Sequence, residues 1–247
     1  LYPPFSASSF VRYTLFFSAG SDEQPSSGKG GTGKTTVSTS LALALVRKQN
    51  KVLVIDCDSG MRGTDMMLGI TNRLVYDVSD VISGTCNLED ALYECHGARG
   101  LYTLAAPISA EDEISPQVMK QFIDEHKNNY DYVIVDAPAG VGTGFESAAI
   151  AADRALIVVN TEPISIRGGV NIKDKLVQMG IKDIRLVINR FDKDRFLSTK
   201  LYSDLDEVID TVGVRLIALI PEDVRISALA QRGLLATNWA SSSVVFD

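Results

Sequence analysis

The chain has 247 residues, 45% of them hydrophobic and 22% charged, with 24 Lys and Arg against 31 Asp and Glu and a net charge of −7. So much apolar material supplies a large core and excludes a disordered tail or fibrous repeat. The acidic balance excludes a protein that coats nucleic acid by charge alone, because phosphate neutralisation needs clustered Lys and Arg. No apolar run approaches the roughly 18 residues of a membrane span. The cysteines (Cys57, Cys86, Cys95) form no CxxC pair and no metal spacing, which predicts a reducing, cytosolic setting. His96 and His126 stand apart among polar neighbours and are expected at the surface, since a zinc site needs several convergent ligands.

In chain order, residues 1–17 (LYPPFSASSFVRYTLFF) carry an apolar stretch whose one basic residue lies inside it, unlike a signal peptide. The chain does not begin with Met, which fits a processed, truncated or misjoined start. A strand-like run at 10–17 is followed by the polar segment 20–25 (GSDEQP) and a Gly-rich loop. Short β-branched runs then recur at 51–57, 101–105, 132–136, 155–160, 184–189 and 215–220. Helix-like segments separate them at 34–49, 87–94, 116–128, 142–152, 166–179, 203–212 and 224–232. Near-continuous apolar strands suit a parallel sheet covered on both faces. The alternation predicts an α/β fold, doubly wound and mostly parallel, with ligands beyond the carboxyl ends of the strands. Residues 1–25 read as an atypical N-terminal segment and 26–247 as one domain.

The loop Gly28-Lys29-Gly30-Gly31-Thr32-Gly33-Lys34-Thr35 fits G-x-x-x-x-G-K-[ST] at every fixed position, and Thr36 follows. Glycines let successive backbone N–H groups curl around phosphate oxygens, and the helix that follows points its positive end at the anion. Lys34 can reach the β- and γ-phosphates, while the Thr35 hydroxyl can ligate Mg²⁺. Asp56 and Asp58 close one strand and Asp136 another, where a metal–nucleotide site needs carboxylates.

With these residues in place the sequence resembles the MinD/ParA branch of P-loop ATPases, on its MinD-like side. The specific token is Lys29 in KGGTGKTT, supported by VLVIDCDSGMRGTDMMLG, VYDVSDVISG, VIVDAPAG and IPED. The resemblance implies Mg²⁺-dependent hydrolysis of ATP and an ATP-driven, face-to-face homodimer. It implies that Lys29 crosses to the partner's nucleotide, that Lys34 grips the phosphates and that Asp58 orients the attacking water. Thr35, Asp56 and Asp136 are the residues near Mg²⁺ on this basis, and Gly140 opens a switch. Asn189 and the segment Pro221, Glu222 and Asp223 match adenine-side loops. A regulatory activator of the MinE type, division-site placement and a cytoplasmic protein are further implications, with peripheral inner-membrane association implied for the parent family rather than for this chain; DNA is not an expected partner.

Three features depart from the family pattern. Segment 20–25 stands where a β-branched strand normally enters the loop, so either a longer connection from the run at 10–17 reaches the loop or the N-terminus is foreign to the fold. The second, with a central strand missing, is the favoured expectation. The chain stops at SSSVVFD without a basic amphipathic extension, as in a truncated C-terminus. Arg62-Gly63-Thr64-Asp65 replaces a more usual Asn-Leu-Asp stretch. Alternatives stay open at this stage. They are a DNA-segregation ATPase, a catalytically impaired binding module, and a GTPase reading guanine through the Asn189-x-x-Asp192 spacing. An iron–sulfur carrier would need cysteines after the DAPAG strand, and the sequence has none there.

Overall fold

The computed structural model describes residues 12–18, 31–59, 61–109 and 114–238. Among these, one sheet is formed by β1 (Arg12–Ser18), β2 (Val52–Asp56), β3 (Tyr93–Glu94), β4 (Leu101–Leu104), β5 (Tyr132–Asp136), β6 (Arg154–Val159), β7 (Asp183–Phe191) and β8 (Arg215–Pro221). The order across it is β3-β4-β2-β5-β1-β6-β7-β8. Every neighbouring pair is parallel except the short β3–β4 edge. The helices are α1 (Lys34–Arg47), α2 (Gly63–Leu68), α3 (Val78–Ser83), α4 (Leu88–Ala91), α5 (Pro116–His126), α6 (Thr143–Ala149), α7 (Pro163–Gln178), α8 (Lys193–Thr199), α9 (Leu205–Val212), α10 (Val224–Gln231) and α11 (Leu235–Asn238).

Strand residues alternate between two cores, as the two-residue period of a strand requires. Leu53, Ile55, Val133, Val135, Ile157 and Val159 face one side, packed with residues of α5, α6, α7 and α9. Val52, Val54, Ile134, Leu156 and Val158 face the other, beneath α1, α2, α10 and α11. Burial on both faces explains why β2 reads as unbroken apolar sequence.

The chain leaves β1 for β2, two places to one side, and later crosses from β5 to β6 on the other side of β1. Connections therefore diverge around the carboxyl ends of β5, β1 and β6, the place where this topology opens a crevice.

The central place is filled, contrary to the expectation of a missing strand. Arg12 to Phe16 pair with Tyr132 to Asp136, and Thr14 to Ser18 pair with Arg154 to Val158. From Arg12 onward the strand-like run is a sheet strand, because parallel neighbours on both sides take up its backbone hydrogen bonds. Part of segment 1–25 thus belongs to the sheet.

Candidate functional site

The site is built where α1 begins. Gly33 caps α1 in the left-handed conformation, with φ of 85°, and Val37 N–H donates to its carbonyl at 2.9 Å. Lys34 is thereby the first helical residue, 6% exposed, and its ammonium points across the strand ends. It donates to Asp136 Oδ1 at 3.1 Å and lies 4.0 Å from Asp58 Oδ2. Burial alone would lower the Lys34 pKa, but Asp136, Asp58 and Asp56 outweigh it and hold the ammonium above its ordinary range. Of the other loop residues, Gly31 and Thr32 lead into α1 and Thr35 and Thr36 stand in its first turn, whereas Gly28, Lys29 and Gly30 fall outside the described residues.

Sheet register brings two acids together, since Asp56 and Asp136 pair directly at the ends of β2 and β5. Both are sealed, at 1% and 0% exposed. Asp56 Oδ1 accepts from Asp58 N–H at 2.9 Å and its Oδ2 from Thr64 N–H at 3.1 Å. Burial, then the neighbouring Asp136, raises the Asp56 pKa to about 7 against these hydrogen bonds. Asp56 therefore ties the loop after β2 to the start of α2, a role the sequence alone did not reveal. The segment packs closely here, since a Cβ on Gly63 would stand 3.2 Å from Thr35 Cγ2. The substituted stretch Arg62–Asp65 thus lies directly against the proposed metal ligand.

Asp58 differs from the other two acids. Its side chain is 25% exposed and lines a small cavity of about 90 Å³ together with Ser59, Pro138 and Ser147. Burial, opposed by Lys34 and assisted by Asp136, raises its pKa. It is the carboxylate among the three that can meet a water molecule.

The donor set suits a hard divalent cation, which takes oxygen ligands. Asp136 Oδ2 and Thr64 Oγ1 are buried with no hydrogen-bond partner among the described residues, and the three carboxylates outnumber the single Lys34 ammonium. A cation supplies the missing positive charge and a use for an orphaned carboxylate oxygen.

Asn189 and the Pro221–Asp223 segment are brought to the same end of the sheet through the β7–β8 pair. Glu222 N–H donates to Phe191 O at 3.1 Å, and Arg190 bridges to Glu222 Oε1 at 2.7 Å. Asp223 caps α10 by accepting from Arg225 N–H. Asp192, the residue of the guanine-reading alternative, caps α8 by accepting from Arg195 N–H at 3.0 Å. Asn189 does something else: its Nδ2 donates to Thr32 O at 2.8 Å.

A family model for the AAA domain matches residues 26–189, from the phosphate loop to Asn189. The septum site-determining protein MinD of Helicobacter pylori is 36% identical over 215 residues, which is 84% of this chain and 80% of that protein. The chain belongs to the MinD family. Among solved structures, the MinD of Pyrococcus horikoshii complexed with Mg-ADP is 28% identical with a TM-score of 0.78, covering 95% of this chain and 90% of that one. MinD in the MinC:MinD cell division complex of Aquifex aeolicus is 29% identical with a TM-score of 0.74, covering 96% and 99%. The family's P-loop ATPase fold is thus the fold of this chain. Among the described residues, no helix is long and apolar enough to cross a membrane.

Proposed function

We propose that this chain binds Mg-ATP in the loop before α1, hydrolyses it, and uses its nucleotide state to pair two copies that place the division site. The observation that carries the reading is the Lys34 ammonium, buried at the head of α1 and held against Asp136 at the sheet's crevice. A lysine in such a place is held ready for an anion that the helix terminus also attracts.

Thr35, Asp56 and Asp136 are the residues that would hold Mg²⁺, which when bound would neutralise developing charge on the phosphates. Lys34 contributes a fixed ammonium to the same charge. Asp58, open to its cavity, orients water for attack on the terminal phosphate and has the raised pKa that suits accepting a proton from it. Lys29, reaching from a second copy, adds a cation that completes the site only in the dimer. Such a cation supplied in trans accelerates phosphoryl transfer by about 10³–10⁵ in enzymes that use one. Glycines 28, 30, 31 and 33, with Thr32 and Thr36, form the cradle, while Pro221, Glu222 and Asp223 border the base.

A protein partner resembling MinC, an activator of the MinE type and a membrane surface are the associations that follow from this reading. The net charge of −7 disfavours DNA, whose phosphates need clustered Lys and Arg. Size-exclusion chromatography of Asp58→Ala with ATP, ADP or neither tests the reading. The expected result is a dimer with ATP alone, together with loss of phosphate release. A single elution volume under all three conditions overturns the nucleotide-gated dimer, and a wild-type hydrolysis rate overturns the role given to Asp58.

A further inference from the structure

We propose that Asn189 is a positioning residue for the phosphate loop, fixing the Thr32–Gly33 peptide so that its N–H is aimed into the anion cradle. The proposal rests on the nucleotide reading above and goes beyond the adenine-side role that the family resemblance implies.

The contact spans the fold. Asn189 lies near the carboxyl end of β7, 157 residues from Thr32, and its Nδ2 donates to Thr32 O at 2.8 Å. It is 6% exposed and Thr32 3%, so this amide is committed to the loop and shielded from water. In a planar trans peptide the C=O and N–H point in opposite directions. Holding the Thr32 carbonyl toward Asn189 therefore turns the Gly33 N–H to the opposite side of the peptide, away from Asn189. The fit is close. A Cβ on Gly33 would stand 2.4 Å from Asn189 Nδ2, and Gly33 carries a φ of +85°. The backbone there favours glycine, and a side chain in its place would have to push the Asn189 amide aside.

The loop is consequently held from two sides of β1. On the β5 side Asp136 takes Lys34; on the β7 side Asn189 takes Thr32. An amide cradle binds anions well when its donors are already aimed, because little ordering is left for the ligand to impose. A brace of this kind acts on the phosphate tail and is indifferent to the base.

That indifference gives the test. Calorimetric titration of the full chain with Mg²⁺ and either ATP or inorganic tripolyphosphate, which has no base, is run for wild type, Asn189→Ala and Asn189→Asp. Removing one buried hydrogen bond predicts a loss of about tenfold in affinity. The expected result for Asn189→Ala is that loss for both ligands alike, leaving the ratio of the two affinities unchanged. Asn189→Asp keeps the shape but sets a carboxylate oxygen against the Thr32 carbonyl, so tripolyphosphate binding falls further. The ratio is measured on one sample and does not depend on the fraction folded, which the titration's stoichiometry reports separately. Variants that keep wild-type tripolyphosphate affinity and lose only ATP overturn the brace in favour of base recognition. Variants unchanged for both ligands overturn it outright. A wild-type chain that binds neither ligand overturns the nucleotide reading and the brace with it.

Discussion

The buried Lys34–Asp136 pair sets the energetics of individual residues here. Asp136 has no exposure, so removing its cation leaves a carboxylate in a dry site, and breaking buried pairs costs about 3–5 kcal/mol. Lys34→Ala is therefore predicted to abolish nucleotide binding and also to lower the melting temperature by about 10 °C, at roughly 2–4 °C per kcal/mol for this size. A thermal melt with and without Mg-ATP checks both. Asp56 makes a different prediction. Its folded pKa, about 7, lies above the ordinary carboxylate value of 3.8, so the folded state binds the proton more tightly than the unfolded chain. Its stabilising contribution is complete below about pH 4 and is lost as pH rises through about 7. Asp56→Asn removes that titration. Whatever the offset between the two proteins, the variant's melting temperature should gain on wild type as pH climbs across this window in metal-free buffer. Parallel curves would show that Asp56 does not titrate there. Mg²⁺ favours the ionised carboxylates, so its own stabilising effect should weaken below about pH 7.

Among the elements, α2 links the site to the last helices. Its first turn gives the Thr64 N–H to Asp56, and its C-terminal Gly69 meets the turn after α10, where a Cβ on Gly233 would lie 2.7 Å from Gly69 Cα. Leu68 and Ile70 share a core with Ile226 and Leu235. Gly233 has a φ of +63°, so Gly233→Ala adds both backbone strain and a backbone clash, predicting a loss of about 2 kcal/mol or more. A melt should show a drop of roughly 5 °C or more, and an unchanged melt would mean the joint opens freely. This joint was not legible in the sequence, since it depends on two glycines more than 150 positions apart. The strands were legible because burial on both faces leaves a continuous apolar signature, as in β2 and β5. Helices α2, α3 and α8, six or seven residues long, were not, although the equally short α6 was. The start of α7 at Pro163, three residues earlier than the apolar pattern indicates, reflects proline's fitness for a first helical turn. In the site, Lys34, Asp56, Asp58 and Asp136 were readable from a linear motif and strand ends. The Asn189–Thr32 contact was not, because it arises from the position of β7 in the sheet.

For the molecule as a whole, the unusual entry to the phosphate loop is reconciled with the fold by β1, which takes the sheet's middle place despite the intervening segment 20–25. A strand paired on both sides exchanges its amides only when the sheet opens. Amides of Arg12–Ser18 should therefore be as protected as those of β5 in hydrogen exchange; rapid exchange would mean that the central place is not stably filled. From this frame the loop, the acids of β2 and β5 and the brace from β7 converge on one crevice, and the central claim is that the crevice holds a metal-bound triphosphate. The most direct measurement is a calorimetric titration of Mg-ATP into the folded full chain, repeated with Lys34→Ala. One site per chain in wild type and none in the variant is the predicted result. No binding by a folded wild-type sample, or equal binding by both proteins, would contradict it.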